Sequence, residues 1–152
     1  MNLIYKMKQL RKSEIKELNE KIKQFEIELG KEDKVTQDNN IIFINDKPMF
    51  FNYEDMIVPT LKFILEHDVL KQVIVDMGAV KFVVGGADIM RPGVAEFDNN
   101  IQKQDLVVIK DINNKKPLAV GISLFSSEEL AAMNSGKIIK NIHHIGDEIW
   151  EK

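Results

Sequence analysis

The residues with the types and spacing to do chemistry lie in two short stretches. The first is Gly85-Gly86-Ala87-Asp88-Ile89-Met90-Arg91-Pro92-Gly93. Read as a strand that ends at the double glycine, with one helical turn stopped by Pro92-Gly93, it aims unpaired backbone amides outward. Amides at the start of a helical turn carry partial positive charge and suit a phosphate. Gly85 and Gly86 remove side chains where a ligand approaches the backbone, and Arg91 adds a planar cationic fork. The alternative is a tight crossover in which glycine only relieves steric strain. No Gly-Lys-Ser/Thr follows and the glycine spacing is not that of a dinucleotide fingerprint, so neither nucleotide-binding loop is present.

The second stretch is His143-His144 with Asp147 and Glu148. Adjacent strand residues face opposite sides of a sheet, so the two histidines do not readily share a metal. The third histidine, His67, falls in the other half of the chain. The pattern gives no catalytic pair, no metal set and no cofactor. His143 is expected as a hydrogen-bonded structural residue, His144 as a groove-lining one, and Trp150 as part of the core. With no cysteine in the chain, thiolate chemistry and disulfides are excluded.

Composition bounds what these stretches can serve. Of 152 residues, 44% are hydrophobic and 30% charged, and 21 basic against 24 acidic side chains give a net charge of −3. That is a globular composition, with no apolar run near the roughly 20 residues that span a bilayer. Met1–Leu10 alternates charged and apolar residues and does not read as a signal peptide. A cytoplasmic protein is expected. Residues 1–76 hold 12 basic and 14 acidic groups, and residues 77–152 hold 9 and 10, so neither half is a polybasic nucleic-acid binder by composition. The local cationic cluster of the first half is Lys6, Lys8, Arg11 and Lys12. It reads as a solvated strand and helix entry or as a binding contact.

The elements that position these groups follow from periodicity. Leu3–Leu10 alternates as a strand. Ile15, Leu18, Ile22, Phe25 and Leu29 recur at steps of three and four, which predicts a helix capped by Ser13 and ended by Gly30. Asn40–Ile44 and Pro48–Phe51 flank the turn residues Asn45-Asp46-Lys47 and predict a hairpin. Pro59 opens a second helix with Leu61, Ile64 and Leu65 on one face. Gln72–Asp76 is expected to be extended and to end the first unit. Five further runs follow a change of character at Met77. Val80–Val84, Leu106–Ile109, Leu118–Leu124 and Ile138–His143 read as strands, and Ser126-Ser127-Glu128-Glu129 opens a short helix through a capping box. The expectation is an α+β chain with a small α/β domain at 1–76 and a β pseudo-barrel at 77–152.

Several motifs occur in one order. Gly86–Val94 resembles the signature of the PUA domain, named after pseudouridine synthases and archaeosine transglycosylases. Gln104–Ile109 resembles that family's Gly-Asp-x-Val strand, with Gln104 where glycine is usual. Pro117–Gly121 resembles its Pro-x-Ala-x-Gly strand. Gly136-Lys137 and Ile142–Trp150 resemble its closing segment, with His144 where an aromatic residue is usual. Ile57–Leu61 followed by Gly78–Phe82 is similar to the subgroup of malignant T-cell-amplified sequence proteins and ligatin-type factors. In that subgroup an α/β pre-PUA domain precedes the PUA domain.

The resemblance implies a non-enzymatic RNA-binding protein of translation initiation, re-initiation or recycling. Structured RNA is the implied partner, either ribosomal RNA on the small ribosomal subunit or a tRNA acceptor end, with a protein partner for the N-terminal domain and no membrane. Carried onto this chain, the implied RNA contacts are Gly85, Gly86, Ala87, Asp88, Met90, Arg91, Pro92 and Gly93. Lys137, Ile142, His143 and His144 lie beside them, and Lys81 is an auxiliary cation that a strand would point away from Phe82. The other readings are an auxiliary RNA-binding subunit of a tRNA- or rRNA-modifying enzyme, a small PUA-like hydrolase, and an interaction module without RNA contact.

Overall fold

The computed structural model describes residues 7–152. Leu3, Ile4, Tyr5 and Lys6 of the expected first strand and cationic cluster lie outside the described residues. The chain divides into two compact units, one reaching Val69 and including Lys152, the other Leu70–Glu151.

The first unit is an antiparallel meander. Its strands are β1 (Met7–Gln9), β2 (Val35–Asp38), β3 (Ile41–Ile44), β4 (Lys47–Tyr53) and β5 (Met56–Pro59), paired in chain order. The expected hairpin joins β3 to β4 through Asn45 and Asp46, whose positive φ of 52° and 70° is the conformation of a two-residue hairpin turn. Helix α1 (Lys12–Ile22) starts two residues earlier than a Ser13 cap would place it. Arg11 occupies the cap position, and the Glu14 carboxylate accepts the Arg11 backbone N–H at 2.9 Å. That bond, with the Lys8 and Arg11 side chains, holds the Glu14 carboxyl down at about 2, against an ordinary 4.5.

The same helix ends at Ile22 rather than running to Leu29. A 3₁₀ turn (Lys23–Phe25) and Glu26 in left-handed conformation reverse the chain. Asn19 then holds the Leu29 backbone from both sides, accepting its N–H at 2.8 Å and donating to its carbonyl at 3.2 Å. Phe25 and Leu29 are both buried although the helix has ended before them. Helix α2 (Leu61–Glu66) is capped by Thr60, while Pro59 belongs to β5 and Leu65 is exposed rather than on the buried face. Phe25, Phe50 and Phe63 stack in series, with centroids 5.9 Å and 4.8 Å apart.

The second unit is a six-stranded sheet curled around one core, in the order β7-β11-β10-β9-β6-β8. Its elements are β6 (Lys71–Val75), α3 (Met77–Val84), β7 (Ile89–Met90), β8 (Val94–Phe97), β9 (Leu106–Asp111), β10 (Pro117–Ser123), α4 (Ser127–Ala132) and β11 (Lys137–His144). The extended run expected to close the first unit is β6. It pairs in parallel with β9 and antiparallel with β8, so it lies inside the second sheet.

The run Val80–Val84, expected as a strand, is helical and forms most of α3. Asp76 caps it by accepting the Ala79 N–H at 3.0 Å. Val83 enters the core, with Ala79, Val80 and Val84 packed against it. A short apolar run bounded by glycine has no decisive periodicity, and here the cap and the core face override β-branched propensity. Helix α4 matches its expected capping box, with Ser126 and Glu129 in reciprocal bonds. Trp150 is half-buried and donates its backbone N–H to Asp147, so it lies at the margin of the unit and not in its buried core.

Strands β10 and β11 pass closest at Gly121, beside a register shift. A Cβ there would overlap Ile139 Cγ2 and lie 2.8 Å from the Lys140 carbonyl oxygen. Gly121→Ala should therefore lower stability by about 1–3 kcal/mol, the usual cost of overpacking. Urea unfolding checks it, and an unchanged midpoint would contradict this packing.

Candidate nucleic-acid interface

The double glycine follows a helix instead of preceding one, which reverses its electrostatics. Gly86 has φ +93°, and the turn satisfies the last carbonyls of α3. The Gly86 N–H bonds the Val83 oxygen at 3.0 Å and the Ala87 N–H bonds the Phe82 oxygen at 3.0 Å, while the Gly85 N–H bonds the Lys81 oxygen at 3.2 Å. This is the Schellman pattern at a helix C-terminus. The Gly85, Gly86 and Ala87 amides are thus used within the helix cap, and the helix end beside them carries partial negative charge. The expected helical turn after the glycines is instead the short strand β7 followed by a 3₁₀ turn (Arg91–Gly93).

Two side chains lock this turn to the edge of β11. Asp88 accepts the Asn141 backbone N–H at 2.9 Å, 53 residues away in sequence. Asn141 in turn donates its side-chain amide to the Val83 and Ala87 carbonyls, each at 3.0 Å. The other Asp88 oxygen lies 3.5 Å from Lys137 Nζ. Asp88 is thus an anchor, and it partly neutralises Lys137.

Arg91 does not project as an open fork. Its Nε donates to the Leu130 carbonyl at 2.9 Å and an Nη to the Val94 carbonyl at 3.3 Å, and its guanidinium lies 5.4 Å from the Phe97 ring centroid. Leu130 is in the last turn of α4, so Arg91 ties that helix end to the sheet. His143, carried over as an RNA contact, is 1% exposed. Its Nδ1 sits 2.9 Å from Asp147, whose carboxylate also accepts the His144 and Trp150 backbone N–H groups. Burial pushes the Asp147 carboxyl up, but these three bonds outweigh it and hold the group below its ordinary value. His143 is the hydrogen-bonded structural residue that its neighbours suggested. Ile142 and His144 are half-buried.

What the surface presents comes from α3. Lys81 and Phe82, expected on opposite sides of a strand, are both exposed on the helix, with Lys81 Nζ 5.1 Å from the Phe82 ring centroid. Phe82 is 59% exposed and Met90 51%. Between them runs a groove of about 440 Å³, lined also by Ala79, Ala87, Pro92 and Gly93. Gly93 allows the close approach of the 3₁₀ turn to α3, where a Cβ would lie 3.1 Å from that of Ala79. Phe82 is absent from the sequence-derived contacts because the strand reading turned it inward. The signal available was an aromatic beside a lysine immediately before a helix-terminating double glycine. In the first unit, the described part of the cationic cluster is tempered by Glu14, which pairs with Lys8 at 2.9 Å and Arg11 at 3.2 Å.

Comparisons with known proteins fit this architecture. A family model described as the PUA domain matches residues 71–145, and a domain of unknown function, DUF1947, matches residues 8–67. An uncharacterized protein of Methanocaldococcus jannaschii is 44% identical over 117 residues, covering 76% of this chain and 72% of that one. Translation machinery-associated protein 20 of Saccharomyces cerevisiae is 35% identical, covering 84% and 73%. The crystal structure of a hypothetical protein from Pyrococcus horikoshii superimposes with a TM-score of 0.79 at 36% identity, covering 95% and 98%.

The Arg91 contacts carry a prediction of their own. Arg91→Ala should cost about 1.5–3 kcal/mol of stability, the range for hydrogen bonds to a charged group. Arg91→Lys should recover only part of it, since an ammonium cannot span both carbonyls and the ring. Denaturant unfolding of the two variants measures this, and wild-type stability in Arg91→Ala would leave the guanidinium without its structural role.

Proposed function

The chain belongs to the PUA-domain family, alongside translation machinery-associated and malignant T-cell-amplified proteins, and from that premise we propose that it is a non-enzymatic RNA-binding protein of the translation apparatus. The carrying observation is the exposed Lys81–Phe82 pair on the rim of an apolar groove. An exposed ring next to a cation is a platform for an unpaired base with its phosphate alongside. The chain is net acidic, so a few well-placed cations and a stacking surface suit it better than a broad basic patch.

The RNA face in this reading comprises Lys81, Phe82, Met90, Lys137, His144 and the exposed backbone of the Gly85–Gly93 turn. Asp88, Arg91 and His143 support it from beneath. The RNA is a stem with an unpaired end, as at a tRNA acceptor or on the small ribosomal subunit, and the protein works in the cytoplasm. The carboxylates lining the groove are engaged in structural bonds, Asp76 with the Ala79 N–H and Asp88 with the Asn141 N–H, and the buried His143 is held by Asp147, which favours binding over catalysis. The N-terminal unit is assigned to a protein partner, and the cavity beside α1 lined by Lys12, Ile15, Lys16 and Leu29 supports that assignment.

Binding of an RNA hairpin with a single-stranded 3′ overhang tests the reading. Phe82→Ala should weaken affinity by about 1–3 kcal/mol, the value of one base stacked on an aromatic ring. Lys81→Ala should reduce the salt slope by about one unit. Co-sedimentation with small ribosomal subunits should fall in the same variants. RNA affinity and sedimentation unchanged in both would overturn the assignment of this face.

A further inference from the structure

His144 stands at the edge of the glycine turn, and geometry sets the tautomer of its neutral ring. Its Nδ1 is 2.9 Å from the Ile145 carbonyl oxygen, which can only accept, so in the neutral ring Nδ1 carries the hydrogen. The lone pair then resides on Nε2. Among the described residues Nε2 has no hydrogen-bond partner, and the residue is half-buried and not fully enclosed. The backbone on either side is fixed, since the His144 N–H donates to Asp147 at 2.9 Å and Gly86 opposite is held by the helix cap. Gly86 packs against this edge of the ring, and only a residue without a side chain leaves Nε2 uncovered there. A Cβ at that position would lie 3.0 Å from Nε2, and the φ of +93° there disfavours any side chain.

The result is a fixed, single hydrogen-bond acceptor beside the proposed RNA face. A neutral imidazole lone pair repels phosphate oxygens, so it does not read the charged backbone. It takes an O–H or N–H donor. Along an RNA strand the backbone offers one such donor per nucleotide, the ribose 2′-hydroxyl, which a DNA strand lacks. We propose that His144 Nε2 accepts a hydrogen bond from a ribose 2′-hydroxyl and makes this site select RNA over DNA. The inference rests on the RNA-binding reading and adds a residue-level basis for sugar selectivity to it.

The test compares an RNA hairpin carrying a 3′ overhang with the same molecule bearing 2′-deoxy nucleotides one position at a time. Wild-type protein should lose about three- to tenfold in affinity at one deoxy position, the worth of a single hydrogen bond. His144→Phe, which keeps a ring without the acceptor, should bind the all-RNA molecule more weakly and show no further loss at that position. His144→Gln, which restores a carbonyl acceptor, should recover part of the sugar preference. Thermal unfolding of both variants checks that the fold is kept. An undiminished 2′-deoxy penalty in His144→Phe overturns the assignment while leaving RNA binding intact. So does a wild-type penalty that follows replacement of base amines and not the sugar. Wild-type protein that binds none of these RNAs overturns the RNA reading itself.

Discussion

Asp88 and Asn141 hold the C-terminal cap of α3 against β11, next to its short pairing with β7, and the character of the whole face depends on that reciprocal lock. Each side chain satisfies backbone groups of the other's segment. Asp88 supplies the acceptor that β11 lacks where β7 has ended, and Asn141 reaches the carbonyls at the end of the helix. Side chain to backbone bonds of this kind fix a turn more tightly than its local conformation does, because both partners belong to separately packed elements. With the turn fixed, Gly86 lies over His144, Gly93 crosses Ala79, and the groove between α3 and the Arg91–Gly93 turn stays open.

The charged groups divide into those that build this face and those that remain on it. Arg91 closes α4 onto the sheet through two carbonyls and a ring, and Lys137 shares Asp88. Lys81 remains available on the helix surface, next to Phe82. The surface therefore reads as one cation, one aromatic ring and an apolar trough. That arrangement matches a partner recognised by stacking and shape more than by charge. It reconciles an RNA-binding proposal with a net charge of −3.

Much of the fold is legible in the sequence because its determinants are local. Asn45-Asp46 dictates a hairpin turn, Ser126 and Glu129 dictate a capped helix, and the strands β9, β10 and β11 announce themselves as β-rich runs between turns. The family resemblance likewise holds across both units. The failures are non-local. Val80–Val84 is helical because Asp76 caps it and the core takes Val83, neither of which periodicity in five apolar residues reveals. The same error reversed the polarity of the glycine turn and placed Phe82 inside. The bend after Ile22 depends on Asn19 meeting Leu29, and β6 joins the second sheet through pairing with β9 and β8. In each case residues distant in sequence decide, and adjacency alone does not show it.

The central claim is that RNA meets the protein on the α3 face of the second unit. Amide and methyl chemical shifts recorded during titration with an RNA hairpin bearing a 3′ overhang test it most directly. Shifts are expected at Lys81, Phe82, Met90, Lys137, His144 and the Gly85–Gly93 turn, with little change in β8 or α1. Shifts concentrated on the Lys8–Lys16 segment, or none at saturating RNA, would contradict it.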